Sequence, residues 1–558
     1  MEGVSSCSKL SSRRKPAEIE ALSDDVLLNI FEQASSVNGY HVLRALIPLV
    51  CKRWRSAIYG AKGVYLFRRI VLDYSRERSF AKCESRATRR PSLCRVARWI
   101  HKNVGNGNIT YPCEFQAVHA ERVKGTGFRE DLATLLAVLG EKLHRLSVDG
   151  KTGLLDEFRF CFLWAVPNLR QLDLDSIAHK IKQKDFEKGV ACLRHLEEFH
   201  ISVWEDGAGL TSFPTALCSL PHLTRLSFEC QDLGHLPRAV SQLTKLAHFS
   251  VRDGSIDHAE EGHLPSVLGC LPALETLVLV RCLRVVEGEG GPPLDYWHWR
   301  GMTNLTHLTL SGNLECPQEK LPPEVGFLKG LRELHLTYFA EVENQLHLSA
   351  LTRLQSIRID HSNMTRLPGW IGALPNLLKL DLEDVALAAW SSAGFTALQS
   401  LDILACEVAE VTNSISQLTC LTSLILDEVP LAKLSSKISC LKNLRHLDLD
   451  CTWFPKFPCA LRALRAPKLQ SVCLEGISRW GNRRKEEKIV SFSGGDQCET
   501  ADRRPLKVED LAWLPHHPCL QTVSITAPEE DDDEKALQSF RKKLNRVYGH
   551  DVLRIMYR

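Results

Sequence analysis

The chain has 558 residues, 44% of them hydrophobic and 25% charged, with a formal net charge of +3. That length exceeds what a single ordinary core organises, so several domains or a repeat array must account for it. The composition excludes a low-complexity chain, and no apolar run of about 18 residues suggests a membrane span.

The charge is uneven. Residues 1–130 hold 23 Lys and Arg against 12 Asp and Glu, and the remainder holds 47 against 55. The basic stretch at 86–98 has few aromatics and no nucleic-acid motif. It reads as a solvated surface, and no nucleic-acid partner is expected. The polar N-terminus carries Arg13, Arg14 and Lys15 with no apolar segment behind them, which is not the pattern of a secretory signal. The 20 Cys include no C-x-x-C pair. Cys218, Cys270, Cys420 and Cys440 stand where a repeat wants a small apolar residue. Reduced core thiols in a cytoplasmic or nuclear protein are therefore expected.

In chain order, residues 1–17 are expected to be disordered. Residues 18–62 read as helices. Ser23 is an N-cap candidate with Asp24 and Asp25 in the first turn, and Leu27, Ile30 and Phe31 fall on one helical face. Val50 and Trp54, four apart, do the same further on. Leu22-Ser23-Asp24-Asp25-Val26-Leu27-Leu28-Asn29-Ile30-Phe31 followed by Val50-Cys51-Lys52-Arg53-Trp54-Arg55 resembles an F-box motif. The resemblance implies a small helical bundle that docks onto the Skp-type adaptor of a cullin–RING ubiquitin ligase. By position it makes Leu22, Leu27, Ile30, Phe31, Val50 and Trp54 the adaptor-binding residues. The family usually has Pro where this chain has Ser23.

Residues 63–140 read as irregular first units, with a strand near Phe67 to Leu72. From about 141 to 478 the pattern L-x-x-L-x-L recurs, as in Leu169-x-x-Leu172-x-Leu174, Leu305-x-x-Leu308-x-Leu310, Leu377-x-x-Leu380-x-Leu382 and Leu444-x-x-Leu447-x-Leu449. Most copies lie 21–28 residues apart. Weaker copies start at Leu143, Leu196, Leu246, Leu354, Leu469 and Leu520. Alternation makes each L-x-L a short strand with one apolar face, which only stacked neighbours can bury. An L-x-x-L-P element also recurs, as in Leu233-x-x-Leu236-Pro237 and Met364-x-x-Leu367-Pro368, and an apolar helical turn follows it. This resembles the leucine-rich repeat and implies an α/β solenoid, a horseshoe with a parallel sheet on its concave face. The family's Asn after the strand is plain only at Asn313. Cys282 and Cys406 are familiar substitutes, and Gln231, Ser362 or Val429 stand elsewhere, so an uneven ladder is expected there.

Residues 283–301 carry Gly and Pro, then Tyr296, Trp297 and Trp299, which read as a loop that contacts either a partner or its own solenoid. Residues 479–507 read as a charged insertion loop. In 508–558 a last repeat precedes an amphipathic helix over 535–548, with the acidic run 529–534 at its N-terminus.

The residues between the repeat leucines project from the sheet. Toward the C-terminus they are acidic: Asp381, Glu383, Asp402, Asp427, Asp448, Asp450 and Glu475, against Lys379. Such a wall attracts a Lys/Arg-rich segment of a protein substrate. His200, His248, His307, His335 and His446 fall in different lanes and are expected to be solvated. No phosphate loop, no H-E-x-x-H, no G-x-S-x-G and no zinc-spaced Cys pair occurs, and His516-His517 have no third ligand in sequence. No catalysis, cofactor, metal or membrane contact is expected. Three readings stand: a substrate receptor of a ubiquitin ligase, a signalling scaffold for a small GTPase or phosphatase whose N-terminal helices are only a cap, and a receptor gated by a small molecule.

Overall fold

The computed structural model describes residues 69–73 and 113–118 and most of 136–479 and 508–556. The segment 18–62, with Leu22, Leu27, Ile30, Phe31, Val50 and Trp54, lies outside the described residues, as do Tyr296 and Trp297.

The chain divides into two compact units, Met1–Ser255 and Ile256–Arg558. In the first unit the strands are β1 (Arg69–Asp73), β2 (Cys113–Val118), β3 (Leu143–Asp149), β4 (Gln171–Ile177), β5 (Glu198–Val203), β6 (Arg225–Glu229) and β7 (His248–Arg252). Each pairs with the next in parallel. The second unit continues with β8 (Thr276–Val280), β9 (His307–Ser311), β10 (Glu333–Thr337), β11 (Ser356–Ser362), β12 (Lys379–Val385) and β13 (Ser400–Leu404). After the short β14 (Glu410–Val411) come β15 (Ser423–Asp427), β16 (Lys433–Leu434), β17 (His446–Asp448), β18 (Trp453–Phe454), β19 (Ser471–Leu474) and β20 (Ser478–Arg479), then β21 (Thr522–Thr526) and β22 (Leu553–Met556). The main ladder runs in parallel through β8 to β13, β15, β17, β19, β21 and β22. β14–β16 and β18–β20 form two small parallel pairs of their own.

The register repeats the sequence pattern. Leu308, Leu334, Ile357, Leu380, Leu401, Leu424 and Leu447 stand in one row across successive strands. All are fully buried. Burying each leucine contributes about 1.5–3 kcal/mol, and each does so only against its neighbours' copies. The first unit adds an aromatic core: Phe186 meets Phe160 edge-on at 4.9 Å and Phe199 at 5.7 Å, and Phe199 continues to Phe228.

The return half of most repeats is a five-residue 3-10 turn rather than an α-helix. Pro214, Pro237 and Pro458 sit extended just before such turns, and each turn sends only one or two small-to-medium apolar side chains into the core, Leu217 with Cys218, Val240, and Ala460 with Leu461. Five residues with one or two inward side chains are too few to sustain an α-helix. The α-helices among the described residues are α1 (Gln183–Val190), α2 (Gly369–Gly372) and α3 (Asp531–Tyr548). The expected C-terminal helix thus starts inside the acidic run, whose residues form its first turn.

Those 3-10 returns correct the expectation for the cysteines. Cys218 is buried, but Cys270 and Cys420 are exposed and Cys440 is half-buried. The return buries its middle residue, such as Ile438, and brings the chain to the surface before the next leucine.

Candidate protein-binding face

Between the buried leucines, two rows of outward side chains cross the second unit. The register aligns His335, Arg358, Asp381, Asp402, Ile425, Asp448 and Cys473 in one row. Beside it run Thr337, Asp360, Glu383, Leu404 and Asp427. Asp450 and Glu475 extend that row, because Glu428 N–H donates to the Asp450 carbonyl and Cys451 N–H to that of Glu475. The acidic residues named from sequence are therefore brought together, with strands about 4.8 Å apart.

At the N-terminal end of these rows every acid is answered. His307 Nε2 lies 3.3 Å from Glu333. His335 Nε2 lies 2.5 Å from Asp360 Oδ2, and Arg358 Nε donates to both Asp360 oxygens at 3.0 Å. Arg358 also bonds Glu383, and Lys379 Nζ lies 2.5 Å from Asp381 Oδ2. His335 is thus an engaged, half-buried side chain, whereas His307 and His446, the latter bonded to Ser471 Oγ at 2.7 Å, keep the solvent exposure expected of them. Although burial opposes its charge, the hydrogen bonds and charges of His335 and Arg358 hold Asp360 below the usual carboxylate range.

Past Lys379 the cations stop. Among the described residues, Asp402, Asp427, Asp448, Asp450 and Glu475 form no ion pair. Burial, then the neighbouring Asp381, raises Asp402, and burial and Asp450 raise Asp448. Burial, with Asp450, Asp448 and Glu428 around it, pushes Asp427 up to about 6. Asp427 Oδ1 and Asp381 Oδ1 are sealed from solvent with no hydrogen-bond partner. A cation brought here would meet carboxylates that the fold leaves unneutralised.

A third row, not anticipated from sequence, lies one residue beyond these. Tyr338, His361, Asp384, Ala405, Glu428 and Cys451 all adopt positive φ, between 47° and 57°. The Tyr338 and His361 rings stack at 4.7 Å, and His361 Nδ1 lies 2.6 Å from Asp384 Oδ2. None of these six positions holds the Gly or Asn that ordinarily signals such a backbone, so the sequence carries almost no cue.

Trp299, named as a possible contact, is wholly buried at the start of a 3-10 turn. It belongs to the core and is out of a partner's reach. His517 is also buried, its Nδ1 donating to the Ala466 carbonyl at 3.0 Å and its ring edge-on to Trp513 at 5.4 Å.

Residues 154–388 match the family described as leucine-rich repeat region, and the described strands carry the same repeat beyond that span. No curated protein gives a significant match to the chain. Among solved structures, a leucine-rich repeat protein of Leptospira interrogans is similar at 20% identity over 66% of this chain and 84% of its own, with a TM-score of 0.48. An internalin of Listeria monocytogenes is similar at 16% identity over 62% and 83%, with a TM-score of 0.36. The ectodomain of the receptor kinase GASSHO1/SCHENGEN3 of Arabidopsis thaliana is similar at 16% identity over 80% and 56%, with a TM-score of 0.32. The family match and the repeated strand register give the described residues a leucine-rich repeat solenoid. No described helix is long and apolar enough to cross a membrane.

Proposed function

We propose that this chain is the non-catalytic substrate-recognition subunit of a Skp–cullin–F-box ubiquitin ligase. Residues 18–62 dock the Skp-type adaptor through Leu22, Leu27, Ile30, Phe31, Val50 and Trp54, and the repeats hold a protein substrate. Ubiquitin transfer falls to partner enzymes, so the chain needs no nucleophile of its own. The adaptor half of this reading rests on the F-box-like sequence. The substrate half rests on the run of carboxylates from Asp402 to Glu475 that no described cation answers, with Asp381 and Glu383 at its border. Such a face favours a Lys/Arg-rich segment, whose charges would replace the missing partners.

The test is co-purification with the Skp adaptor of wild type and of the Leu27→Ala/Ile30→Ala/Trp54→Ala variant. Loss of adaptor in a variant whose repeats stay folded supports the reading. If folded wild type fails to bind adaptor, residues 18–62 revert to a cap and the signalling scaffold takes its place. On the substrate side, Asp427→Lys/Asp448→Lys/Asp450→Lys should abolish capture of a basic substrate and leave adaptor binding intact. Unchanged capture would remove the acidic face from the proposal.

A further inference from the structure

His517 is a buried imidazole at the seam between the last two repeats. Its Nδ1 reaches the carbonyl of Ala466, 51 residues earlier in the chain, at 3.0 Å. A carbonyl only accepts, so Nδ1 carries the proton and Nε2 keeps a lone pair. Nε2 is sealed from solvent and has no hydrogen-bond partner, and the same holds for Nε1 of Trp513, whose ring stands edge-on to that of His517 at 5.4 Å. His517 is 1% exposed and Trp513 2%. The site accepts a neutral ring and offers a second N–H nothing to bond.

The charges around it point the same way. Arg465 comes from the exit of the return Cys459–Ala463 and His516 from the turn Leu514–His516, and both add positive charge. Tyr548, at the end of α3, brings only its hydroxyl, which lies 2.9 Å from the Leu514 carbonyl oxygen and 3.0 Å from that of His517. Asp510 lies 3.8 Å from Arg462, so that carboxylate is already engaged across the seam. The rest of the C-terminal cap is organised on this turn. Leu537, Phe540 and Leu544 of α3 are buried, and α3 packs on the 3-10 turn Val508–Leu511. β21 pairs with β19, so that Val523 stands opposite Val472 and Ile525 opposite Leu474.

We infer that His517 is a proton-operated latch: its neutral ring holds the cap of β21, α3 and β22 on the repeat before it, and its protonated ring lets the cap go. Protonation would bring a charge and a second N–H to a place where, among the described residues, neither meets an anion or an acceptor. Burial first, then Arg465 and His516, hold His517 below the ordinary histidine value of 6.5, against the bond to Ala466. The released cap therefore binds the proton more tightly than the docked one. Docking is at full strength above 6.5 and weakens as pH falls below it, by about tenfold in its equilibrium constant per pH unit. A terminal unit of a repeat array contacts a single neighbour, so it can open while the other repeats stay folded. Release uncovers Val472 and Leu474 and the edge of β19, at the end of the acidic rows.

The test is hydrogen–deuterium exchange of the full chain, read by mass spectrometry on either side of 6.5, at about pH 7.5 and about pH 5.5, and corrected for the intrinsic effect of pH on exchange. In wild type the protection of β21, α3 and β22 should drop about tenfold at the lower pH, while that of β8 holds. In His517→Gln, which takes up no proton, the drop should disappear, and in His516→Gln it should remain. Equal protection of the wild-type cap at both pH values, or the full drop persisting in His517→Gln, would overturn the latch. Should His517→Gln misfold, deuterium uptake at the His517 ring carbon of wild type, followed against pH, replaces it. Half-titration below 6.5 is expected there, and half-titration at or above 6.5 overturns the proposal.

Discussion

Arg358 and Asp360 point from the same strand, two residues apart, and Arg358 Nε donates to both Asp360 oxygens at 3.0 Å. Together with His335 they make a satisfied carboxylate on a face where, from Asp402 onward, carboxylates are in surplus. The contrast fixes opposite pH responses. Asp360 is held low, so its contribution to stability is present above the ordinary Asp range and is lost as pH falls through its lowered value. Asp402 is raised by burial and Asp381, so its charge costs stability at neutral pH and the cost disappears on protonation.

Asp360→Asn should therefore lower the unfolding midpoint at pH 7, by about 1–3 kcal/mol of stability, and the deficit should shrink below about pH 4. Asp402→Asn should raise the midpoint at pH 7, and that gain should also vanish toward low pH. Thermal unfolding of both variants and wild type across pH 3.5–8, values flanking the ordinary Asp pKa of about 4, checks the pair. Midpoint changes of the same sign at pH 7 would contradict the charge balance described for the face.

The strands, their register and the acidic rows were legible in the sequence because burial selects leucine at fixed intervals and leaves the intervening places free to declare their charge. The ladder between repeats was only half legible. After the strand, Ser362 Oγ donates to the Phe339 carbonyl at 2.8 Å, Cys406 Sγ reaches the Leu382 carbonyl at 3.6 Å and Thr452 Oγ1 bonds that of Leu426. A hydroxyl or thiol can thus stand in for Asn, whereas Val385 and Val429 are simply buried. A second ladder went unread. Asn168, Asn304, Asn376 and Asn443, each just before a repeat's first leucine, donate to carbonyls of the previous repeat at 2.7–2.9 Å. Its signal was the recurring Asn-Leu pair. The burial of Trp299 had no such signal, since it depends on the path of the chain between repeats.

Ser362→Ala removes the donor to the Phe339 carbonyl in a buried setting, and no water can replace it there. A loss of about 1–3 kcal/mol follows. Asn376→Ala, at the exposed ladder, leaves the Thr352 carbonyl open to water and should cost less, about 0.5–1.5 kcal/mol. Urea midpoints of the two variants would show this order. The reverse order would mean that the outer ladder, rather than the inner one, ties the repeats.

The thiols divide sharply by reach. Cys218 and Cys406 are buried, and burial pushes them up to about 11 and about 12. Cys192, Cys270, Cys420, Cys459 and Cys519 are exposed. Because the thiolate is the reactive form, native protein treated with iodoacetamide at pH 8 should be modified at these five and spared at Cys218 and Cys406 until it unfolds. Peptide mapping by mass spectrometry reads each site separately. Early labelling of Cys406 would show that its repeat opens in the native state.

The returns, not only the strands, set how closely repeats can stack. A Cβ added at Gly301 would lie 2.1 Å from the Gly269 carbonyl oxygen and 2.9 Å from its carbon. Both obstacles are backbone, so no side-chain rotation relieves them. Gly301→Ala must push apart two returns whose own Trp299 and Leu268 are wholly buried. The expected cost is about 1–3 kcal/mol, seen as a lower unfolding midpoint. Gly369→Ala provides the control, because a Cβ there meets nothing within 4 Å and its backbone is ordinary helix. That variant should be as stable as wild type or slightly more so, since alanine loses less conformational freedom on folding. Equal effects at the two positions would show that the loss at Gly301 comes from something other than the close approach of the returns.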